Sequence, residues 1–340
     1  MTPPLLTIAI PTYNRAEPLT ATLRVILPQI TNEPRVKLLI LDNHSEQPAV
    51  EVLSAFGVEL SSAVQVVRHP QNIGGCANIL RCFERCDTEW VWVLSDDDKP
   101  REDAVRTILG DVDTDHLFVF YPFPQSPLPE NCRTRTSGDS LNGLFEAIGH
   151  TITPLTLLSA SIYRIGAFRD RLRKGYASAT TGIPHLAMVF SELETHGGKW
   201  MLSDQTICEY TPPPLDQSWM VHSVFLGLPS GSAIFTTEDG LRHYRKCLLN
   251  LYRNVPEFVL INIIAGYGIR RWFSTQLPQL YRLMDAAYGP RLPRYPLAWI
   301  KWRMMGTFSY FPACFVWLVL TACRIIGRPP PHIGSTKRTD

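Results

Sequence analysis

The chain has 340 residues, 45% of them hydrophobic, so it can bury a large core, and its composition excludes a low-complexity or disordered protein. The net charge of +2 conceals an asymmetry: residues 1–240 carry 18 Lys and Arg against 28 Asp and Glu, whereas residues 241–340 carry 15 against 3. The acidic N-terminal part argues against a nucleic-acid groove there, and the basic C-terminal part indicates contact with an anionic surface, either a membrane or a nucleic acid.

The cysteines and the N-terminus indicate the compartment in which the protein works. None of the eight cysteines forms a C-x-x-C pair or has zinc-finger spacing, which favours a reducing compartment over a disulfide framework. The chain does not open with a basic segment followed by a long apolar one, so we expect no secretory signal. The active part is therefore expected in the cytoplasm.

Strands and helices are predicted to alternate over the first hundred residues. Short apolar runs predict strands at residues 5–10, 36–41, 64–67 and 90–94. Apolar residues at helical spacing predict helices at residues 18–30 and 49–56, and a third helix that opens at Gly74-Gly75. This alternation is typical of an α/β fold with a doubly wound, mostly parallel sheet and helices on both faces.

The fourth predicted strand, residues 90–94, is apolar on both faces and is followed by Asp96, Asp97 and Asp98. Adjacent carboxylates at a buried strand end repel each other and lose hydration, so we expect a positive charge among them. Ligand sets made only of oxygen favour Mg²⁺ or Mn²⁺, and Mg²⁺ combines a few carboxylates with phosphate oxygens from a substrate. The alternative is a solvated acidic turn that caps a helix beginning near residue 99.

Polar residues also follow the first two predicted strands, at residues 12–15 and at Asp42 and Asn43. Each has a structural alternative: Asn14 could cap a helix, Asp42 and Asn43 could form a turn, and Gly74-Gly75 a tight loop. Because open α/β sheets bind ligands at the carboxyl edge of their parallel strands, the strand ends together predict a nucleotide site.

The order of these motifs resembles that of family 2 glycosyltransferases of the GT-A fold. The motifs are Pro-Thr-Tyr-Asn-Arg at 11–15, Leu-Asp-Asn-x-Ser at 41–45, Asn-x-Gly-Gly-x-x-Asn at 72–78 and Ser-Asp-Asp-Asp at 95–98. The resemblance covers about residues 5–105 and implies a nucleotide-sugar donor, commonly a UDP-sugar. It also implies a role in bacterial polysaccharide or O-antigen assembly.

The resemblance assigns roles to individual residues. Pro11, Tyr13 and Asp42 would contact the base and ribose, Arg15 would lie near the same pocket, and Asp96 would lie near the ribose or sugar. The full set expected to bind the donor is Pro11, Tyr13, Asn14, Arg15, Asp42, Asn43, Asn72, Gly74, Asn78 and Asp96. Asp96 and Asp98 would be the two acids of the D-x-D motif, with Asp98 on the Mn²⁺ or Mg²⁺ ion.

The catalytic base is harder to assign. The family often supplies a Glu-Asp pair at the start of a later helix, and this pair is missing here. His185 stands about where it would fall, in a predicted helix that opens at residues 182–185, and a neutral histidine can accept a proton from an acceptor hydroxyl. The alternative is that His185 caps or packs on this helix. Glu192 and Glu194 are weaker candidates, and Asp97 completes the candidate catalytic set. We expect inversion at the anomeric carbon, but without the Glu-Asp pair the stereochemical outcome stays open.

The rest of the chain is predicted from looser patterns. Strands are expected at residues 116–121, 157–163, 200–202 and 206–210, and a helix at residues 141–148. A Pro-rich loop at residues 122–129 could flank the acceptor. From residue 238 onward the pattern is helical and cationic, and residues 307–323 carry no charge. That run is expected to be an interfacial helix, with a core helix or a membrane span as alternatives.

Three regions are therefore predicted: a GT-A catalytic domain at 1–211, a helical, basic, membrane-associating region at 212–328, and a disordered tail at 329–340. The whole is expected to be a metal-dependent glycosyltransferase with a polyprenyl-linked saccharide acceptor and no nucleic-acid partner, peripheral on the inner face of the plasma membrane. One rival is a nucleotidyltransferase, although residues 11–15 lack its usual Gly-rich basic loop. The other rival is a non-catalytic scaffold that binds a sugar nucleotide. The missing Glu-Asp pair favours this alternative, whereas the three aspartates at 96–98 argue against it.

Overall fold

The computed structural model describes residues 3–112, 115–124, 134–209, 227–228 and 231–253. The chain divides into two units, Met1–Pro212 with Ala233–Cys247, and Pro213–Ser232 with Leu248–Asp340. The described strands and helices belong to the first unit, except that residues 248–253 of the last helix belong to the second. Among the described helices, none has the length and apolar character needed to cross a membrane. The predicted uncharged run at 307–323 and the tail at 329–340 lie outside the described residues, as does most of the Pro-rich loop.

The described strands and helices follow the predicted alternation. The strands are β1 (Leu6–Thr12), β2 (Val36–Asp42), β3 (Val64–Arg68), β4 (Trp90–Val93), β5 (Lys99–Pro100), β6 (Phe118–Phe120), β7 (Thr136–Gly138), β8 (Ser161–Arg164), β9 (Trp200–Leu202) and β10 (Cys208–Glu209). The helices are α1 (Ala16–Ile30), α2 (Ala49–Ser54), α3 (Gly75–Arg85), α4 (Ala104–Asp111), α5 (Leu141–Ala147), α6 (Ile165–Phe168), α7 (Leu172–Ala177), α8 (Pro184–Thr195) and α9 (Glu238–Arg253).

Eight strands form one mixed sheet in the order β3-β2-β1-β4-β8-β6-β9-β7. The first four strands of this order are mutually parallel, β8 is antiparallel to both β4 and β6, and β9 is parallel to β6. The α/β fold with a doubly wound, mostly parallel N-terminal half is therefore confirmed. The antiparallel β8 separates this half from the remaining strands.

The core explains why these segments form strands and helices. β1, β2 and β4 are apolar on both faces and are covered by helices, so almost every side chain in them is buried. Tyr163 of β8 packs edge-on against Phe83 of α3 at 5.0 Å between ring centroids. Gly175 of α7 permits a close approach to α3, because a Cβ atom there would lie 2.6 Å from Leu80 Cδ2.

Most predicted boundaries differ by one or two residues, and three segments differ by more than that or in their pairing. The helix expected near residue 99 begins at Ala104, because Lys99 and Pro100 instead pair with β10 as a small antiparallel ribbon. The strand expected from residue 157 begins at Ser161, after a 3-10 turn at Leu158–Ala160. Residues 208–209 belong to the ribbon with β5 and do not extend the main sheet.

Candidate functional site

The ends of three parallel strands lie side by side at one edge of the sheet. Thr12, the last residue of β1, is in register with Asp42, the last residue of β2. On the other side of β1, Leu94 continues β4 and its N–H donates to the carbonyl of Ala9 at 2.9 Å. The structure thus brings together the polar segments that the sequence placed on one rim.

The acidic loop, residues 95–98, leaves β4 at this rim, and two of its three carboxylates, those of Asp96 and Asp98, are buried. Asp96 is 4% exposed and Asp98 is 5% exposed, so the alternative of a solvated acidic turn is wrong. Thr12 Oγ1 donates to Asp96 Oδ2 at 2.6 Å, and Arg15 Nη1 lies 3.3 Å from Asp96 Oδ1. Arg15 also forms an ion pair with Asp97, whose second oxygen accepts from Ser95 Oγ at 2.5 Å. The positive charge expected among the carboxylates is thus supplied in part by Arg15.

Burial changes the protonation behaviour of this cluster. It raises the pKa of Asp96 to about 6, although the Thr12 hydrogen bond and the Arg15 charge work in the opposite direction. Burial also opposes the charge on Arg15, but the neighbouring Asp96 and Asp97 outweigh it and raise the pKa of that guanidinium above its ordinary value. Arg15 therefore stays charged, whereas Asp96 changes charge around pH 6.

The residues of the acidic loop fit a divalent cation that also binds a phosphate. Among the described residues, no group of three or more His, Cys, Asp and Glu side chains could hold a metal ion. Mg²⁺ does not need such a cage, because it usually binds one or two carboxylates together with substrate phosphates and water. Each oxygen of a carboxylate can accept more than one contact, so Asp96 could keep its hydrogen bonds from Thr12 and Arg15 while it also contacts the cation. Asp96 and Asp98 supply only oxygen atoms, as a hard cation prefers.

Asp42 is fully buried and braces the loop after β2. Its Oδ1 accepts from the Ser45 N–H at 2.8 Å, and its Oδ2 accepts from the Ala49 N–H at 3.1 Å. Arg68 Nη1 also approaches Oδ2, at 3.3 Å. These bonds hold the start of α2 against β2 and β3, and they use both oxygens of the carboxylate that the resemblance assigns to the nucleoside.

Asn14 joins the loops that follow β1 and β2. It has a φ of +52°, its N–H donates to Ser45 Oγ at 3.0 Å, and its Oδ1 accepts from the Glu46 N–H at 2.7 Å. The alternative that Asn14 caps α1 is wrong, because Arg15 occupies that position and makes no side-chain cap. Between the braced residues, Tyr13 is 44% exposed and presents an aromatic ring at the rim.

The asparagines of the third motif hold the start of α3. Asn72 Oδ1 accepts from Asn43 Nδ2 and from the Gly74 N–H, both at 2.8 Å, and Gly74 has a left-handed φ of +87° that favours glycine. Asn78 is buried inside α3, where its Nδ2 donates to the Leu41 carbonyl at 2.9 Å. In this structure these side chains fix backbone next to the expected donor pocket.

The candidate catalytic residues differ in how far solvent can reach them. His185 is 2% exposed, its Nε2 lies 3.4 Å from the Leu155 carbonyl, and burial lowers its pKa to about 4. Glu192 is held by Arg171 Nε at 2.5 Å, and Glu194 accepts hydrogen bonds from Thr236 and Thr237. Asp97 has a side chain that is 30% exposed. This geometry favours the packing interpretation of His185 and leaves Asp97 as the most accessible of His185, Asp97 and Glu192.

Several residues that shape the site carried no signal in the sequence. Thr12 and Ser45 lie within quoted motifs, but nothing in their spacing predicted their bonds to Asp96 and Asn14. Thr22 of α1 and Ser159 of the turn before β8 contact the backbone of the acidic loop from positions 64 to 76 residues away in sequence. Such long-range contacts have no local sequence pattern.

Comparison with known proteins identifies relatives by family and by fold. Residues 7–194 match the family model described as glycosyl transferase family 2. TarS 1-349 of S. aureus, solved in complex with UDP-GlcNAc, is 13% identical with a TM-score of 0.57, over 95% of this chain and 92% of that chain. The mannosyltransferase PcManGT of Pyrobaculum calidifontis, in complex with GDP-Man and Mn²⁺, is 12% identical with a TM-score of 0.53, over 91% and 85%. Comparison with curated protein sequences gives no match.

Proposed function

This chain belongs to glycosyl transferase family 2, and we propose that it moves a sugar from a UDP-sugar to a saccharide acceptor with the help of Mn²⁺ or Mg²⁺. The family assignment makes it a glycosyltransferase, so the nucleotidyltransferase alternative is dropped and the scaffold alternative loses its support. One observation carries the proposal: the buried acidic loop is held against Thr12 and Arg15 at the carboxyl edge of β1 and β4.

The chemistry of sugar transfer explains why such a cluster is useful. The leaving nucleoside diphosphate gains negative charge in the transition state, and a bound divalent cation would stabilise that charge. Asp98 would bind the cation, with Asp96 beside it. Arg15 lies against Asp96 and Asp97, so its guanidinium would face the diphosphate of a donor bound at these strand ends.

The choice of a uridine nucleotide rests on the motif resemblance and on one of the two solved relatives. TarS is solved with UDP-GlcNAc, whereas PcManGT is solved with GDP-Man, so the two relatives do not agree on the base. The exposed ring of Tyr13 would stack on a base, and the hydrogen bonds of Asn14 keep the two neighbouring loops together. Ring stacking accepts any base, so uridine and guanosine nucleotides have to be compared directly.

The acceptor side requires a base that an acceptor hydroxyl can reach. Asp97 and Glu192 are each paired with an arginine, but the side chain of Asp97 is 30% exposed and that of Glu192 is 14% exposed, while His185 is buried in the core. This difference in exposure favours Asp97. We keep inversion at the anomeric carbon as part of the proposal. Product stereochemistry, measured by NMR of the released glycoside, tests it.

We also propose a polyprenyl-linked acceptor, with a boundary after residue 211 and the following basic region holding the protein on the inner face of the plasma membrane. The support is the balance of 15 basic against 3 acidic residues over 241–340. Cosedimentation of the full chain with anionic vesicles at low salt tests this part. Equal binding to neutral vesicles, or none to either, would contradict it.

Donor binding is tested by thermal unfolding with UDP or GDP, each with and without Mn²⁺. A ligand that binds only the folded state raises the melting temperature. We expect the largest rise with UDP and Mn²⁺ together. A larger rise with GDP would replace the uridine assignment, and no nucleotide-dependent rise would overturn the proposal.

A further inference from the structure

Thr22 belongs to α1 but binds the acidic loop. Its hydroxyl lies 3.1 Å from the Asp96 carbonyl and 3.4 Å from the Asp98 carbonyl, and its side chain is buried. A threonine inside a helix commonly donates to the carbonyl four residues earlier, as Thr20 does to Ala16 at 2.7 Å. Thr22 directs its hydroxyl out of its own helix instead, to two peptide groups of the candidate cation site.

Ser159 fastens the other end of the same loop. Its Oγ accepts from the Ser95 N–H at 2.8 Å, and its side chain is fully buried. The Ser159 carbonyl accepts from Trp92 Nε1 at 2.8 Å and from Cys208 Sγ at 3.4 Å. Ser159 therefore ties the start of the acidic loop to β4 and to β10.

Together these contacts fix the backbone of the loop without using its carboxylates. The carbonyls of Asp96 and Asp98 are held towards α1, and the N–H of Ser95 is held towards the turn before β8. A cation site requires its ligands to be held close to their bound geometry, and supporting hydrogen bonds around the ligands provide this. None of these contacts uses a carboxylate oxygen of Asp96 or Asp98.

We infer that Thr22 and Ser159 are positioning residues that hold the acidic loop in the geometry needed to bind a divalent cation together with a nucleoside diphosphate. This inference rests on the proposed function. Neither residue touches the donor or the reacting atoms in this account. Their effect passes through the peptide groups of Ser95, Asp96 and Asp98.

The test measures the Mn²⁺ concentration that half-saturates the thermal shift at a fixed UDP concentration. Thr22→Val removes the hydroxyl and keeps the branched shape, and Thr22→Ser keeps the hydroxyl. Thr20→Val is the matched control, because Thr20 lies on the same helix and bonds only its own backbone. Loss of a group that supports metal ligands typically costs about 10-fold to 100-fold in metal affinity, so we expect at least a tenfold rise for Thr22→Val.

Ser159→Ala gives an independent arm, with Ser161→Ala as its control. Ser161 is equally buried two residues later, and its Oγ makes no hydrogen bond to the described acidic loop. We expect Ser159→Ala to raise the half-saturating Mn²⁺ concentration and Ser161→Ala to leave it unchanged. The melting temperature without ligand, measured for every variant, separates a loss of stability from a loss of cation affinity.

The outcomes of this test distinguish a failure of the positioning role of Thr22 and Ser159 from a failure of the proposed function. Wild-type Mn²⁺ affinity in Thr22→Val, or equal impairment of Thr22→Val and Thr22→Ser, would overturn the inference while leaving the proposed function intact. A wild-type protein that shows no Mn²⁺-dependent shift would overturn both. Restored affinity in Thr22→Ser supports the hydroxyl contact. If Thr22→Val does not fold, wild-type affinity in Ser159→Ala decides against the inference.

Discussion

Thr12 Oγ1 lies 2.6 Å from Asp96 Oδ2, and this hydrogen bond joins the end of β1 to the acidic loop 84 positions later in the chain. Burial disfavours the charged form of the Asp96 carboxylate, and two contacts favour it. One is this hydrogen bond from Thr12, and the other is the charge of Arg15. The protonation of Asp96, and with it the ability of the loop to bind a cation, therefore depends on residues of the first motif.

Replacing Thr12 with valine should weaken Mn²⁺ binding more at pH 6 than at pH 8. Without the hydroxyl, the pKa of Asp96 rises further above its value of about 6, and a protonated carboxyl does not bind a cation. A hydrogen bond to a charged group contributes roughly 1.5–3 kcal/mol, which corresponds to a rise of about one to two pKa units and lowers the ionised fraction at pH 6 by roughly sevenfold or more. Calorimetric titration of UDP and Mn²⁺ at the two pH values measures the effect. Thr12→Ser is the control, and a loss independent of pH would contradict the role given to Asp96.

Asp96→Asn should stabilise the unliganded protein at pH 8 and not at pH 4. The pKa of Asp96 is about 6 in the folded protein and lower in the unfolded chain, so its contribution to stability is present at pH 4 and lost as pH rises through 6. The loss for a shift of this size is about 3 kcal/mol. Chemical unfolding of both proteins at the two pH values measures it. If Asp96→Asn is less stable than the wild type at pH 8, the charged Asp96 carboxylate stabilises the fold and this prediction is wrong.

His185→Gln should keep transfer activity within about tenfold, whereas loss of a general base typically costs about 10²–10⁴ in rate. The same variant should be less sensitive to acid. Burial lowers the pKa of His185 to about 4 in the folded protein, so between pH 6.5 and pH 4 this side chain is protonated mainly in the unfolded chain. The free energy of unfolding therefore falls as the pH drops from 6.5 to 4. Melting temperatures across that range and a rate at neutral pH measure the two effects.

His196→Gln provides the control for the melting temperatures, because His196 is the exposed C-cap residue of the same helix. It is not used as a control for the rate, because His196 Nδ1 lies 3.3 Å from Glu192. A rate loss of a hundredfold or more in His185→Gln, with the fold intact, would restore His185 as the base. Asp97→Asn, assayed alongside, shows whether the more exposed carboxylate carries that role instead.

The elements that sequence reasoning predicted well are those with a strong local signal. β1, β2 and β4 are short apolar runs followed by polar residues, and α1 and α3 have apolar residues at helical spacing. The parallel arrangement follows from the alternation of these elements, and it fixes which strand ends share an edge. The rim of the candidate site could therefore be predicted before the structure was known.

The parts that could not be predicted depend on contacts between distant segments. β5 has only two residues, and it forms because Cys208 and Glu209 pair with it. The serine and alanine residues before β8 resemble an alternating strand, yet Ser159 uses its side chain to hold Ser95. Asn14 fits the pattern of a helix cap, but its partner lies in the loop after β2. In each case the hydrogen-bond partner lies far away in sequence and is brought close only when the chain folds.

The most direct test of this account is a crystal structure with UDP and Mn²⁺, in which anomalous scattering locates the metal. We predict one manganese ion in contact with a carboxylate oxygen of Asp98 and with the diphosphate, and no such ion in Asp98→Asn grown under the same conditions. Asp103→Asn, a change just beyond β5 and outside the acidic loop, should retain the ion. UDP bound without manganese at Asp98, or manganese bound elsewhere, would contradict the assignment of the acidic loop as the cation site.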